Sequence, residues 1–262
     1  MINVYECLMD DAKIYLTKDY NYRRSFFKRK DDELYIKEFN HAEFIGEQLC
    51  LIKNIKCAHY FLVGLGLFNL NYSEKYGNIS DKNYQIKLAS YNFKEDDKKY
   101  FILNGCNITS ENSKLDEVLN LAVDDLNREE LIDEIINMFS LDIFMGQQDR
   151  FYNNIMFEIR RDGSVHLAPL YDFEVSLKNS YLDPKYVYKN DLISFKSVSD
   201  LKKFISMYPN FKDELESYLD INLVRNAKYA YELRNLNLPR DILNYLDEFQ
   251  TDRKKLIKEI IN

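Results

Sequence analysis

The apolar positions of this chain change period about a third of the way along. Leu34–Phe39 alternates, so that Tyr35, Lys37 and Phe39 share one face of a strand. Arg24–Lys30 precedes it across Asp31-Asp32-Glu33, which predicts a hairpin. Asn40 then offers a helix cap, with Glu43 three residues later completing a box-like start. Phe44, Leu51 and Ile52, with Gln48 between, give part of an apolar helix face through about Lys53. Strand-like runs follow at Tyr60–Val63, Tyr84–Phe93 and Tyr100–Leu103, and the polar stretch Asn69–Asn83 predicts a loop. No internal repeat is present.

Beyond Gly105 the period becomes helical. Leu115–Leu126 predicts one helix, and Asn127-Arg128-Glu129-Glu130 caps a second that carries Leu131, Ile132, Ile135, Ile136, Phe139 and Ile143. Gly146 is a good stop for that second helix. Ile155–Arg161 alternates again, Asp162-Gly163 predicts a two-residue turn, and Ser164–Ala168 returns as the partner strand. Ser197–Ile261 is helical, with breaks near Pro209 and Pro239. The pattern predicts an α+β protein with a strand-rich first lobe over residues 1–105, holding one helix, and a helical second lobe over 106–262.

Composition narrows the class. A chain of 262 residues, 46% apolar and 30% charged, is large enough for one big domain or two modest lobes. Only 7 Gly and 4 Pro argue against disorder. A net charge of −7 does not suit a general nucleic-acid binder, which needs a positive footprint. The one basic cluster, Arg23, Arg24, Lys28, Arg29 and Lys30, fits the solvated face of the hairpin, or a local patch near phosphates or an acidic partner. The longest apolar stretch, Tyr60–Phe68, is too short to span a bilayer. The first residues carry acids where a signal peptide carries bases and an apolar run. Cys7, Cys50, Cys57 and Cys106 show no short metal or redox spacing and read as buried thiols of a reducing compartment. A cytoplasmic protein is expected, although an effector secreted without a cleaved signal would look the same. His41, His59 and His166 are unclustered and read as structural.

The stretch GQQDRFYNNIMFE, residues 146–158, interrupts this core-forming pattern with polar groups. Asp149 and Asn154 lie before the hairpin and Asp172 directly after it, and a tight hairpin brings its two ends together. Two carboxylates and an amide oxygen form a hard-oxygen site suited to magnesium. Phosphoryl transfer from ATP uses such a site: metal ions neutralise the phosphates, and a carboxylate orients the attacking hydroxyl. Asp-x-x-x-x-Asn is the spacing of the protein-kinase catalytic loop, and Asp-Phe beyond a hairpin matches its metal-binding dipeptide. The same spacing also fits a loop whose Asp or Asn bonds its own backbone. A kinase further needs a strand lysine paired to a helix glutamate; Lys37 fits, with Glu43 and Glu47 as candidate partners. Against that stand a solvated strand edge for Lys37 and a capping role for Glu43. No glycine-rich phosphate loop precedes Lys37, and Gly64-Leu65-Gly66 follows it. Tyr20–Ser25 is left to cover the phosphates, through backbone N–H groups with Arg24 or Ser25.

The run FMGQQDRFYNNIMFEIRRDGSVHLAPLYDFEVSL, residues 144–177, resembles the catalytic core of HipA-like serine/threonine kinases. Gly146, Asp149, Arg150, Asn154, Leu167, Pro169, Tyr171 and Asp172 match that core. HAEFIGEQLCLIKNI, residues 41–55, resembles the family's first-lobe helix through Ala42-Glu43, which favours Glu43 over Glu47, and IKLASYNF, residues 86–93, resembles a family strand. The resemblance implies a two-lobed protein-kinase-like fold and a phosphotransferase that uses ATP and Mg2+, autophosphorylation included. It implies Asp149 as catalytic base, Asn154 and Asp172 as magnesium ligands, and Lys37 on the ATP phosphates. Its partners would be a protein substrate and, as in toxin-type members, an antitoxin-type protein, with no membrane. Gln147 stands where Asn is usual and Phe151 where His is common, and the phosphate-loop signature is absent. The length points to a shorter, stand-alone branch. A pseudokinase that only holds nucleotide, or a kinase-fold enzyme with a non-protein acceptor, are the competing readings. Ser176, Ser180 and Tyr181 occupy the stretch where kinases keep an activation segment.

Overall fold

A computed structural model describes residues 4–9, 12–18, 26–28, 33–38, 40–68, 85–91, 93, 99–102, 129–150, 154–177, 187–189, 194–233 and 236–262. The chain forms two compact units, one of Met1–His41 with Ala58–Phe93 and one of Ala42–Cys57 with Lys94–Asn262.

The first unit is a closed antiparallel barrel. Its strands are β1 (Val4–Met9), β2 (Ala12–Lys18), β3 (Phe26–Lys28), β4 (Glu33–Glu38), β5 (Phe61–Phe68) and β6 (Gln85–Tyr91), in the order β1-β2-β3-β4-β6-β5. Pairing of β5 back onto β1 removes the open edges that an isolated sheet exposes. The expected hairpin forms, with Phe26 opposite Tyr35. Lys37 lies on β4 opposite Leu88 of β6, which is fully buried. The Gly64-Leu65-Gly66 run is strand interior within β5.

The second unit gathers α1 (His41–Ile52) from Ala42 onward, α2 (Glu129–Met145), a sheet of β7 (Lys99–Ile102), β8 (Met156–Ile159) and β9 (Val165–Leu167), and the C-terminal helices. Those helices are α3 (Val198–Met207), α4 (Pro209–Ser217), α5 (Leu223–Glu232) and α6 (Arg240–Ile261), and a small hairpin of β10 (Tyr188–Lys189) and β11 (Ser194–Phe195) precedes them. One apolar core unites the unit, with Ile45 and Leu49 from α1, Phe139 from α2, Phe157 from β8, and Phe211 and Phe249 from the C-terminal helices. The two prolines act as expected of helix punctuation: Pro209 opens α4 and Pro239 directly precedes α6. Ser197 and Asp200 bond each other's backbone N–H groups in a capping box at the start of α3. No helix among the described residues is long and apolar enough to cross a membrane.

The turn between β8 and β9 differs from the two-residue form expected of Asp-Gly. Ile159 pairs with Val165 and the Arg160 amide donates to the Ser164 carbonyl at 2.9 Å, which leaves a three-residue loop, Arg161-Asp162-Gly163. The Gly163 amide donates to the Arg160 carbonyl and Gly163 takes φ 81°, a turn closed by a left-handed glycine. Asp-Gly serves either loop length, and the strand register selects this one. Residues 69–83 and 115–126, expected as a loop and a helix, lie outside the described residues.

Candidate active site

The site begins where α2 stops. Gly146 adopts φ 61°, its amide donates to the Ile143 carbonyl, and the Gln147 amide reaches back to the Asp142 carbonyl at 2.8 Å. These are the two bonds of a Schellman stop, whose left-handed position favours glycine. A second constraint acts at the same residue: a Cβ on Gly146 would lie 2.7 Å from Nη2 of the buried Arg253. Gln147 then ties three segments together. Its Nε2 donates to the Asp172 carbonyl at 2.7 Å, its Oε1 accepts from the Asp149 amide at 3.2 Å, and its own carbonyl accepts from the Tyr188 hydroxyl at 2.9 Å.

Arg150 is the second tie. Its Nε and Nη2 fork onto the two carboxylate oxygens of Asp142 on α2, at 2.9 and 2.8 Å, and both side chains are 0% exposed. Its Nη1 donates to the carbonyls of Asn154 and Tyr171, at 3.2 and 3.1 Å. The guanidinium also lies 5.6 Å from the Phe173 ring centroid. Burial opposes the charge on Arg150, but the Asp142 carboxylate more than offsets that and strengthens the guanidinium's hold on its proton. Burial pushes Asp142 up from the ordinary carboxylate value, while Arg150 pulls it down.

With both ends of the hairpin fixed to one guanidinium, Asn154 and the Tyr171-Asp172 segment lie side by side. Asn154 is 3% exposed; its Nδ2 donates to the Asp149 carbonyl at 2.8 Å, and its Oδ1 has no hydrogen-bond partner among the described residues. A buried carbonyl oxygen without a donor costs free energy unless something electropositive meets it.

Asp172 also belongs to a carboxylate cluster. Ligand oxygens of Glu43, Asp172 and Glu174 lie within 4.8 Å of one another. Gly46 of α1 makes this approach possible, because a Cβ there would lie 2.6 Å from Cγ of Phe173. The Phe173 ring thus seats directly on the helix, with Asp172 and Glu174 flanking it and Glu43 three residues before Gly46. Asp172 itself takes φ 66°, a left-handed conformation that Asp tolerates better than most residues. Carboxylates this close favour a shared proton or a neighbouring cation. A hard divalent cation fits this donor set of three carboxylates, and the Asn154 side chain, held through its Nδ2 on the Asp149 carbonyl, offers an amide oxygen as a further hard donor.

Of the residues singled out from sequence, Asp149, Asn154, Asp172 and Glu43 all lie in the second unit, the first three joined by the hydrogen bonds above. Lys37 lies in the first unit, half-buried, with its ammonium 5.3 Å from the Tyr60 ring centroid. Arg24 and Ser25 lie outside the described residues, as does Phe151. Two contributors were not singled out. Gln147 looked like a departure from the family pattern, yet it positions both Asp149 and Asp172. Glu174 belongs to no motif, and its two-residue offset from Asp172 is the one signal the sequence holds for it.

No family profile matches the sequence, and no curated protein sequence matches it. Solved structures do. The Helicobacter pylori proinflammatory kinase CtkA is similar over 93% of this chain and 91% of its own, with TM-score 0.59 at 15% identity. HipA from the HipA–HipB–operator DNA toxin–antitoxin complex of Shewanella oneidensis MR-1 is similar over 100% of this chain and 66% of its own, with TM-score 0.57 at 11% identity. Such identities speak to fold alone, and on that ground the chain has the fold of the HipA-like kinases.

Proposed function

We propose that the protein is an ATP- and Mg2+-dependent phosphotransferase acting on Ser or Thr hydroxyls of proteins, its own included. Residues 1–105 would form the nucleotide-binding lobe and 106–262 the catalytic lobe. The observation that carries the reading is the state of Asn154, whose amide nitrogen is anchored on the Asp149 carbonyl while its buried oxygen lacks a donor, in a chain with a kinase-like fold. Asn154 and Asp172 would hold the magnesium, with Glu43 and Glu174 beside them. Bound there, magnesium supplies charge neutralisation for the phosphates. Asp149 accepts the hydrogen bond of the acceptor hydroxyl and orients its oxygen for attack. Lys37 holds the ATP phosphates, and Glu43 has a further duty as its partner. Arg24 and Ser25 would cover the phosphates in place of a glycine-rich loop.

Purified protein should transfer labelled γ-phosphate from ATP, and Asp149→Asn should lower transfer by about a hundredfold or more with unchanged thermal stability. Equal labelling by the variant removes Asp149 from its role. A non-catalytic nucleotide binder is the second reading, favoured by Phe151 and the missing glycine loop. Stabilisation by ATP and magnesium without any labelled product would favour it, and mass spectrometry of the product would identify a non-protein acceptor. The HipA relative is part of a complex with HipB. An antitoxin-type partner for this chain is proposed on that likeness.

A further inference from the structure

Cys50 and Cys57 are seven positions apart, a spacing that carries no redox motif. The chain brings them together all the same. The Ile55 amide donates back to the Cys50 carbonyl at 2.8 Å, and Asn54 takes φ 53°, so the segment after α1 folds onto the end of the helix. The Cys57 Sγ lies 3.9 Å from the Glu47 carbonyl, one turn before Cys50 on that helix. Burial first, and the neighbouring Cys57 thiol after it, push the Cys50 thiol above its ordinary value. Both are free; Cys50 is buried and Cys57 half-buried.

The backbone around Cys57 is also tied to the active-site segment. Cys57 forms an isolated parallel bridge with Leu170, and the Leu170 amide donates to the Lys56 carbonyl at 2.8 Å. Leu170 stands two residues before Asp172. The two cysteines thus lie at the joint where the end of α1 meets the segment that leads to Asp172 and Glu174.

We propose that Cys50 and Cys57 are a peroxide-sensitive dithiol that closes to a disulfide and clamps this joint. Hydrogen peroxide would oxidise the half-buried Cys57 thiol to the sulfenic acid, releasing one water. The Cys50 sulfur then attacks the Cys57 sulfur; the S–O bond breaks, and the sulfenic oxygen leaves as a second water with the Cys50 proton. Two thiols and one peroxide become one disulfide and two waters. Burial pushes the Cys50 thiol up from its ordinary value, which keeps that sulfur protonated and directs the first oxidation to Cys57. Disulfide formation draws the two sulfurs to about 2.05 Å, and the Cys57–Leu170 bridge transmits that constraint toward Asp172.

Disulfide formation at this joint does not depend on phosphoryl transfer and is read without an activity assay. The full chain is treated with hydrogen peroxide, the remaining thiols are alkylated, and tryptic peptides are mapped by mass spectrometry. A reversible Cys50–Cys57 cross-link is expected, lost on reduction with dithiothreitol and absent in Cys57→Ser and in Cys50→Ala. Alkylation of both residues after peroxide, sulfinic acid at Cys57, or pairing with Cys7 or Cys106 instead would each overturn the proposal. Hydrogen exchange before and after oxidation tests the clamp. The Leu170 amide should exchange severalfold more slowly in the oxidised protein and respond to peroxide in neither variant. An unchanged rate in a cross-linked wild type overturns the clamp.

Discussion

Two polar assemblies share the loop after α2, and they are finished to different degrees. Arg150 makes four hydrogen bonds, to both oxygens of Asp142 and to the carbonyls of Asn154 and Tyr171. A few residues away, Asn154 presents a buried oxygen with no donor among the described residues, and Glu43 and Glu174 crowd around Asp172. The first assembly is closed: each member answers another member of the fold, and nothing further is needed for it to persist. The second gathers carboxylates and an amide oxygen in one place. On the proposed reading, that contrast separates a polar group that builds the protein from one held ready for a ligand.

The contrast can be broken most severely at Arg150. Arg150→Met leaves Asp142 buried without its partner, and loss of one member of a buried pair costs about 3–5 kcal/mol. Chemical denaturation should show that loss, and it should abolish every function with it. Arg150→Lys should recover little, since an ammonium cannot make the planar fork. A wild-type denaturation midpoint in Arg150→Met would mean the pair is no keystone. Asp172→Asn should do the reverse. Removing one charge from the carboxylate cluster relieves repulsion, so the melting temperature should hold or rise while magnesium-dependent transfer disappears. A fall in stability comparable to that of Arg150→Met would erase the distinction between the two assemblies.

Gln147 sits between them, and its substitution should show some of each effect. Gln147→Leu strips donors and acceptors from Asp149 and Asp172, which predicts a loss of about 1–3 kcal/mol. Through the misplaced Asp172 it should also weaken magnesium affinity by about 10- to 100-fold, the scale of supporting-shell substitutions. Calorimetric titration of magnesium against wild type and variant reads the second effect apart from the first. Weakened stability at unchanged affinity would assign Gln147 to the closed assembly alone.

What the sequence made legible was local. Gly146 as a helix stop, the hairpin over 156–167 and the approach of Asp149 and Asn154 to Asp172 all follow from periodicity and turn chemistry within a short span. Lys37 on an inner strand of the hairpin sheet was legible for the same reason. What was not legible depended on packing between distant segments. Glu174 joins Glu43 only because Gly46 admits the Phe173 ring, a contact between residues 127 positions apart in the numbering of the chain. The Arg150–Asp142 fork spans the end of α2, where helical spacing rules no longer apply. Gln147 looked like a mismatch because the pattern recorded residue type, whereas its role lies in reaching Asp149 and Asp172 at once. The fold, by contrast, survives at 15% and 11% identity to the similar kinase structures, because a barrel and a helical core tolerate wide substitution where apolar period and volume are kept.

The smallest expected effect is at Asp162, a carboxylate that is satisfied yet wholly exposed. Its Oδ1 accepts from the Ser164 amide at 2.9 Å and from the Ser164 hydroxyl at 2.7 Å, and these bonds hold its pKa below the ordinary value. A carboxylate whose folded pKa is depressed contributes stability that is present above its unfolded pKa, about 3.9, and is lost as pH falls through the lower, folded value. The turn should therefore loosen only in strong acid, and full exposure confines the change to the turn. Backbone chemical shifts of Gly163 and Ser164 should move over that acidic window in wild type and stay flat in Asp162→Asn, whose amide oxygen can still accept but carries no charge. The same variant should leave magnesium affinity untouched at neutral pH. If affinity fell instead, the β8–β9 turn would be setting the spacing of Asn154 and Asp172, and the separation between closed and ligand-ready assemblies would have to extend along the whole hairpin.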